Sequence, residues 1–460
     1  MAEPGEVEAW LGSKRISCVR LEATNHDGLV LGKYLSPAKF VATLDKGSPF
    51  ADTCFGVDPA GEVAVGWDWG PWRGQVADIK LIPDPSTLLE LPGRSGWASV
   101  ICDFTDLDGD PLPVCFRSLL KRMAGRLAGL GYDASVGPEI EFMVFEEPIQ
   151  QARAQGYREL TPLGGRTRIT YLMSGSQDLE LFMDAVVHRL DGLGIPWDYW
   201  SNETAPGQVE LNLAPAEPVQ AADRVARAKQ ALRDVAAEHG RSVTFMAWGL
   251  DQHLGGGMHV NLSLQRQGAN AFFDAATPGD HRSEILRQWV GGLIETLPAA
   301  MSLLSPNVNS YRRLIEITGP PTTVSWGEGN KSVAVRTITR EPESSRIEHR
   351  VPSADCNVYL ALAAILAGGM IGIEDELEPP PEFEGMAWGL PPGAAQRLPS
   401  SLKQAAAALE ADARLAEMLG AETIRYWLGS RDWEWIAFHT GGGDPDRVAD
   451  YELSRYFEQT

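Results

Sequence analysis

The sequence predicts an α+β protein, with a small β-rich N-terminal domain over residues 1–113 and a large domain of strands and helices over residues 114–460. Three observations predict it. At 460 residues the chain exceeds what one hydrophobic core usually supports. Residues 15–113 alternate short β-branched runs with turn signals. Beyond them, stretches of helical periodicity are interleaved with stretches of period two whose polar positions carry charge.

In chain order, residues 16–21 (Ile-Ser-Cys-Val-Arg-Leu) and 97–103 (Trp-Ala-Ser-Val-Ile-Cys-Asp) read as strands. Residues 68–74 and 83–85, rich in Pro, Gly and Asp, read as loops between them. Leu119, Leu120, Met123, Leu127 and Leu130 recur at helical spacing, closed by Gly131. A second helix, residues 222–238, places Val225, Ala228, Leu232 and Val235 on one face and stops at Gly240. Residues 358–373 hold no charge, yet fall short of the roughly 20 residues of a membrane span, so they predict a buried helix. The C-terminal third is helical, interrupted by an acidic loop at Pro379–Pro381.

A net charge of −22 and no basic stretch exclude nucleic acid as a partner, since nothing would displace counterions from a phosphate backbone. No membrane partner is expected either. The acidic start, residues 1–10, lacks the features of a signal peptide. Five scattered cysteines without a Cys-x-x-Cys pair fit reduced thiols in a cytoplasmic protein.

The informative pattern lies between residues 137 and 350. In Gly-Pro-Glu-Ile-Glu-Phe-Met-Val-Phe (137–145), Glu139 and Glu141 are two apart and share one face of a strand. In residues 207–213 Glu210 and Asn212 share a face, and Glu203 reaches the same neighbourhood from before the Ala205-Pro-Gly turn. In residues 257–264 His259, Asn261 and Ser263 alternate with Met258, Val260, Leu262 and Leu264. In residues 346–351 Arg346, Glu348 and Arg350 oppose Ile347, His349 and Val351. Alternation usually means a sheet with one face in water. These faces instead collect five glutamates, a histidine and two arginines. Two carboxylates about 4 Å apart repel by roughly 4 kcal/mol at an effective dielectric near 20, so five converging ones need cations. Oxygen ligands with one imidazole suit Mg²⁺ or Mn²⁺ better than Zn²⁺. Arg313, Lys331, Arg336, Arg346 and Arg350 add a basic set, which together with hard cations describes a clamp for a polyphosphate and a free carboxylate.

At these residues the chain resembles the glutamine synthetase family, type I-like. GPEIEF is similar to its GPExEF strand and ETAPGQVE to E-x-A-P-G-Q-x-E. GGGMHVNLSL resembles GSGMHxHxSL, NSYRRL resembles NSYKRL, and RIEHRVPSADCNVYL resembles RIExRxPxxxxNPYL, all in the family's order. The likeness runs on to Leu398-Pro-Ser-Ser-Leu and Tyr451-Glu-Leu-Ser-Arg-Tyr, covering residues 115–460 well and the N-terminal part loosely. The resemblance implies a β-grasp-like N-terminal domain, a catalytic domain with antiparallel strands and helices, and a homo-dodecamer of stacked hexameric rings with active sites shared between subunits. It implies ATP as co-substrate and two metal sites: Glu141, Glu203 and Glu210 at the one near substrate glutamate, and Glu139, His259 and Glu348 at the one bridging ATP phosphates. Arg313 and Arg350 match the arginines that grip glutamate, with Gly255 lining its amino-acid end. Arg336 and Arg346 match phosphate and transition-state arginines; Asn261, Ser263 and Lys331 fall on the nucleotide side. Lys331 stands where the family has arginine and loses the bidentate fork, and Asn261 replaces a histidine. The implied activity is ATP-dependent ligation of an amine to the γ-carboxylate of glutamate through γ-glutamyl phosphate.

Two departures point to the family's γ-glutamyl-amine ligase branch, the polyamine, ethanolamine or anilide synthetases. The flap glutamate of the ammonium-handling members is replaced by Gly319, and the N-terminal Asp-Gly-Ser-Ser segment is not recognisable. Asp58 and Asp68 are the candidates for its aspartate; Glu316, Asp58 and Asp68 are the carboxylates that would receive a polyamine. Trp67, Trp69 and Trp72 either stack on an aromatic amine or pack an interface. The adenylylated tyrosine of the family corresponds to Trp388. The alternatives are glutamine synthesis from ammonia, a catalytically silent structural or regulatory member, and an unrelated metallohydrolase using His253 and His259, for which zincin spacing is lacking.

Overall fold

A computed structural model describes residues 3–64, 76–167, 170–249, 255–277, 279–316, 319–391 and 393–460. Asp68, Trp67, Trp69, Trp72 and His253 lie outside the described residues.

Helix α1 (Pro4–Ser13) leads into β1 (Cys18–Thr24), followed by β2 (Val30–Leu35), α2 (Pro37–Val41), β3 (Ser48–Ala51), β4 (Asp78–Pro83), β5 (Leu89–Glu90) and β6 (Trp97–Thr105). They form one sheet of order β2-β1-β6-β4-β3, with β5 on β6. Its centre is the parallel pair β1–β6, Leu21 opposite Val100, while the other pairs are antiparallel. This is the grasp-like arrangement. Val19, Leu21 and Ala23 alternate into the core, as a strand with one buried face requires. The strand expected from residue 16 begins at Cys18 because Arg15 turns at φ 53° and the Ile16 amide still bonds to Leu11 O.

The larger part begins with α3 (Phe116–Gly129), which stops where expected, with Gly131 at φ 85°. Then come β7 (Asp133–Phe145), α4 (Ile149–Ala154), α5 (Gln177–Gly192), β8 (Trp197–Asn202), β9 (Gln208–Leu213), α6 (Pro218–Glu238), β10 (Ser242–Thr244), β11 (Met258–Arg266), β12 (Ala269–Asn270), α7 (Glu284–Leu304), β13 (Trp326–Glu328), β14 (Val335–Ile338) and β15 (Arg346–His349). Helices α8 (Val358–Glu374), α9 (Leu402–Ala411), α10 (Ala413–Leu419), α11 (Ala421–Thr440) and α12 (Asp450–Tyr456) complete the chain. The second sheet runs β13-β14-β15-β11-β7-β9-β8, with β10 beside β7 and β12 beside β11; β13–β14 is parallel and the rest antiparallel. The four polar-faced segments are thus β15, β11, β7 and β9, side by side. Ile140, Phe142, Val209, Leu211, Val260, Leu262 and Ile347 leave the opposite face and are buried, with α6 and α3 packed on β7 from that side of the core.

Helix α8 is buried from Val358 through Gly372, as its composition predicts. It packs on α7, where a Cβ on Gly372 would sit 1.9 Å from Gln288 O, so two backbones touch at a point only glycine permits. Among the described residues no helix is long and apolar enough to cross a membrane.

Candidate active site

Strand register assembles the site. Glu139 on β7 stands opposite His259 on β11 and Asn212 on β9; Glu141 stands opposite Glu210; Asn261 and Arg336 flank Glu348 from β11 and β14. All of these except Asn212 line a cleft enclosing about 1380 Å³, open to solvent. Glu203, Gly255, Arg313, Lys331, Arg346 and Arg350 line the same cleft. Ser263 is two residues further along β11 and outside that lining.

Two groups within the cleft offer three ligand atoms lying within 4.8 Å of one another: Glu139, His259 and Glu348, and Glu141, Glu210 and His259. The first is the set expected to bridge phosphates. The second brings His259 to Glu141 and Glu210 in place of Glu203. His259 Nδ1 lies 3.0 Å from Glu139 Oε2 and 3.7 Å from Glu348 Oε1, and its Nε2 lies 3.9 Å from Glu141 Oε1.

Charge divides the site. Glu348 accepts from Arg336 Nη1 at 2.8 Å and from Arg350 Nη1. Burial opposes its ionisation, but Arg350, His259 and Arg336 outweigh it and hold the carboxyl at about 2. Glu139, buried but bonded to His259 and to Asn261 Nδ2 at 2.8 Å, is likewise lowered. On the other side burial, reinforced by Glu141 and Glu210, pushes Glu203 up to about 7; burial, with Glu139 next, does the same to Glu210. A set of carboxylates that repel one another into protonation is what a bound cation relieves, so the donors fit hard divalent metals.

Arg313 is buried, and burial lowers it to about 10. It donates to Val351 O at 3.0 Å and Arg350 O at 3.2 Å, and its Nη2 is 3.4 Å from His259 Nε2. The Gly-Gly-Gly run makes room for it. A Cβ on Gly255 would lie 2.6 Å from Arg313 Cγ, and one on Gly257 would lie 2.6 Å from Arg313 Nη2. Arg346 reaches Asn261 Oδ1 at 2.9 Å. Lys331 is exposed at the rim.

Residues 113–456 match a family described as "Glutamine synthetase, catalytic domain". The chain belongs to the glutamine synthetase family. This is a family of ATP-dependent ligases that form carbon–nitrogen bonds and use divalent metals. The chain is 30% identical over 456 residues to a glutamate–isopropylamine ligase of Pseudomonas sp, covering 98% of this chain and 97% of that protein. It is also 30% identical over 444 residues to type-1 glutamine synthetase 2 of Dictyostelium discoideum, covering 96% and 83%. A solved structure described as a GmaS/ADP complex superposes with a TM-score of 0.82 at 26% identity, covering 98% of each chain. Identity is therefore the same to an amine ligase and to a glutamine synthetase.

Within the family site, sequence reasoning missed Gln208. Its Nε2 donates to Glu141 Oε2 at 2.9 Å, beside the Gly257 amide at 3.0 Å. It lies within the ETAPGQVE motif two residues before Glu210, on the same face of β9 as Glu210 and Asn212, and that period of two was its signal. Tyr171 and Tyr199, about half exposed or more, also line the cleft. Two carboxylates considered for the amine are already engaged. Asp58 Oδ2 takes Trp433 Nε1 and Arg455 Nη1, each at 2.9 Å, while Oδ1 takes the Ala60 and Glu62 amides. Glu316 accepts from the Gly389 amide at 3.0 Å and from Arg397 Nη1.

Proposed function

We propose that this chain is a glutamate–amine ligase that prefers an organic amine, aromatic ones included, to ammonia. The observation that carries the reading is the cleft wall at Gly319–Pro320. Its glycine offers no carboxylate, and the nearest one in sequence, Glu316, is spent on Arg397 and the Gly389 amide. Ammonium must be held as a cation and deprotonated before it attacks, which this wall cannot do. An aniline is uncharged at neutral pH and needs neither service.

Under this reading Arg313 and Arg350 orient substrate glutamate beside Gly255, and Asn261, Ser263 and Lys331 lie along the nucleotide. Glu139, His259 and Glu348 hold one Mg²⁺ or Mn²⁺, and Glu141, Glu203 and Glu210 the other. Cations bound there supply positive charge against the ATP phosphate oxygens. The γ-carboxylate oxygen of glutamate attacks the terminal phosphorus of ATP, and the bond to ADP breaks. Arg336 and Arg346 face the charge that spreads over the transferring group. The amine nitrogen then attacks the acyl carbon of γ-glutamyl phosphate. Phosphate leaves with the carbon–oxygen bonding pair, and the nitrogen gives up a proton.

The reading includes a cytoplasmic enzyme of two domains, 1–113 and 114–460, assembled as a dodecamer whose neighbouring subunit completes the cleft. An exposed rim of Tyr171, Leu172 and Met173 supports a covering partner there. The test is kcat/KM for ammonium, isopropylamine, ethanolamine, putrescine and aniline at one pH. An organic amine is expected to lead, and a win for ammonium makes the chain a glutamine synthetase.

A further inference from the structure

The Gly319–Pro320 wall is held from outside the cleft. The peptide between Pro320 and Pro321 has no amide hydrogen and is held through the Pro320 carbonyl, which accepts from the Trp388 indole Nε1 at 3.0 Å. Arg397 fastens the same stretch from both sides: its Nη1 donates to Glu316 and, at 3.2 Å, to Thr322 Oγ1, and its Nη2 reaches Leu390 O at 3.2 Å. Backbone bonds from Val324 to Gln396 O (2.9 Å) and from Leu398 to Thr322 O (3.1 Å) continue the attachment.

The segment that carries Trp388 and Arg397 is also tied to the cleft rim at Lys331. The Ala387 amide donates to Ser332 Oγ at 2.9 Å, and Asn330 Nδ2 donates to Gly385 O at 2.8 Å. Asn330 and Ser332 flank Lys331, which lines the cleft. Adjacent residues Ala387 and Trp388 therefore bond to the two rims, one each.

We propose that Trp388 and Arg397 are positioning residues for the amine step, setting the Gly319–Pro320 wall against the Lys331 rim. This rests on the glutamate–amine ligase reading. Wherever that wall gives way, water competes for the acyl carbon of γ-glutamyl phosphate. Attack by water forms a carbon–oxygen bond, expels phosphate and returns glutamate, so ATP is consumed without amide. Neither residue touches substrate. Their signature is the partition between amine and water.

The experiment compares the unchanged chain with Trp388→Phe, which keeps a ring and removes the donor, and Arg397→Lys, which keeps the charge and removes the fork. Amide formed per ADP is measured, with KM for amine, glutamate and ATP, and deuterium exchange of peptides spanning residues 319–325 and 133–145. The expected result is fewer amides per ADP and an amine KM raised about tenfold, the effect of one lost hydrogen bond, with the other KM values within about twofold. Exchange is expected to quicken at 319–325 and not at 133–145. Unchanged coupling and amine KM, or three KM values that rise alike, overturn the proposal. If the unchanged chain forms no amide from any amine, the ligase reading fails, and exchange alone decides the positioning role. If Trp388→Phe does not fold, Arg397→Lys carries the same readouts.

Discussion

Glu141 and Glu210 stand directly opposite one another across the β7–β9 pair. Like charges so placed destabilise a sheet by up to about 1 kcal/mol. Glu210→Gln is therefore expected to raise the unfolding midpoint of the chelated protein while removing the extra stability that Mg²⁺ or Mn²⁺ gives. Turnover is expected to fall by more than the roughly 10–100-fold that losing an outer partner of a metal ligand costs. Thermal unfolding with chelator and with metal checks the first point and steady-state assay the second. A variant that still responds fully to metal would sink the two-metal assignment.

The pH dependence follows from the same crowding. Glu203 and Glu210 are raised to about 7 in the folded chain, above the ordinary 4.5. The folded state then binds more protons than the unfolded one between these values. Their contribution is fully present below about pH 4.5 and is lost as pH rises to about 7. Glu348, held at about 2, works in the opposite sense, contributing above 4.5 and failing as pH falls toward 2. Metal must displace the protons on Glu203 and Glu210, so its stabilising effect is expected to grow from pH 5 to 7 and flatten above. Unfolding midpoints with chelator and with Mg²⁺ at each pH test this; a constant difference contradicts it.

Gly255 and Gly257 both leave room for Arg313, but among their nearest neighbours only Gly255 also faces a backbone atom. A Cβ on Gly255 would meet Ala247 O at 2.5 Å, a backbone atom that cannot step aside. Gly255→Ala is expected to cost about 1–3 kcal/mol of stability. A Cβ on Gly257 meets the guanidinium end of Arg313 at 2.6 Å and His259 Nε2 at 3.1 Å. Gly257→Ala is expected to fold, displace Arg313 and raise the glutamate KM about tenfold or more, as losing a charged hydrogen bond does. Denaturant titration beside glutamate kinetics distinguishes the two.

Much of this site was legible because a strand exposes its period of two. Glu139 and Glu141, or His259 and Asn261, could be assigned to one face before any pairing was known. Helix starts were read late where the signal was a cap. Helix α6 begins at Pro218, not at residue 222, with Glu217 accepting from the Val219 and Gln220 amides. The parallel β1–β6 pair was not legible, since alternation carries no strand direction. Nor were the partners of Asp58 and Glu316: Trp433 is 375 residues from Asp58, and Arg397 is 81 from Glu316. No local pattern shows that a carboxylate is already spent.

Gln208 fixes one oxygen of Glu141, donating from Nε2 while its Oε1 accepts from the Ala205 amide at 3.2 Å. Gln208→Leu keeps the bulk and removes both bonds. An outer partner of this kind is worth about 10–100-fold in metal affinity or activity. The expected outcome is a metal requirement shifted to higher concentration by that factor, with saturating metal restoring part of the rate. A metal titration of activity indistinguishable from that of the unchanged chain would refute it.

Asp58 decides whether an N-terminal carboxylate of this chain can serve the amine. Its four acceptor contacts all lie within the chain, and its side chain and that of Arg455 are each only 2% exposed. Arg455 also holds Glu434 at 2.8 Å, so Asp58 joins the segment after β3 to helices α11 and α12. Removing one partner of a buried pair leaves a desolvated charge behind and costs about 3–5 kcal/mol. Asp58→Asn keeps the shape and much of the hydrogen bonding, so the low end of that range is expected, read as an earlier midpoint in urea. The ratio of kcat/KM for an organic amine to that for ammonium is expected to stay the same in the protein that remains folded. A shift in this ratio without loss of stability would mean that the carboxylate leaves Arg455 to meet the amine, contrary to the assignment made here.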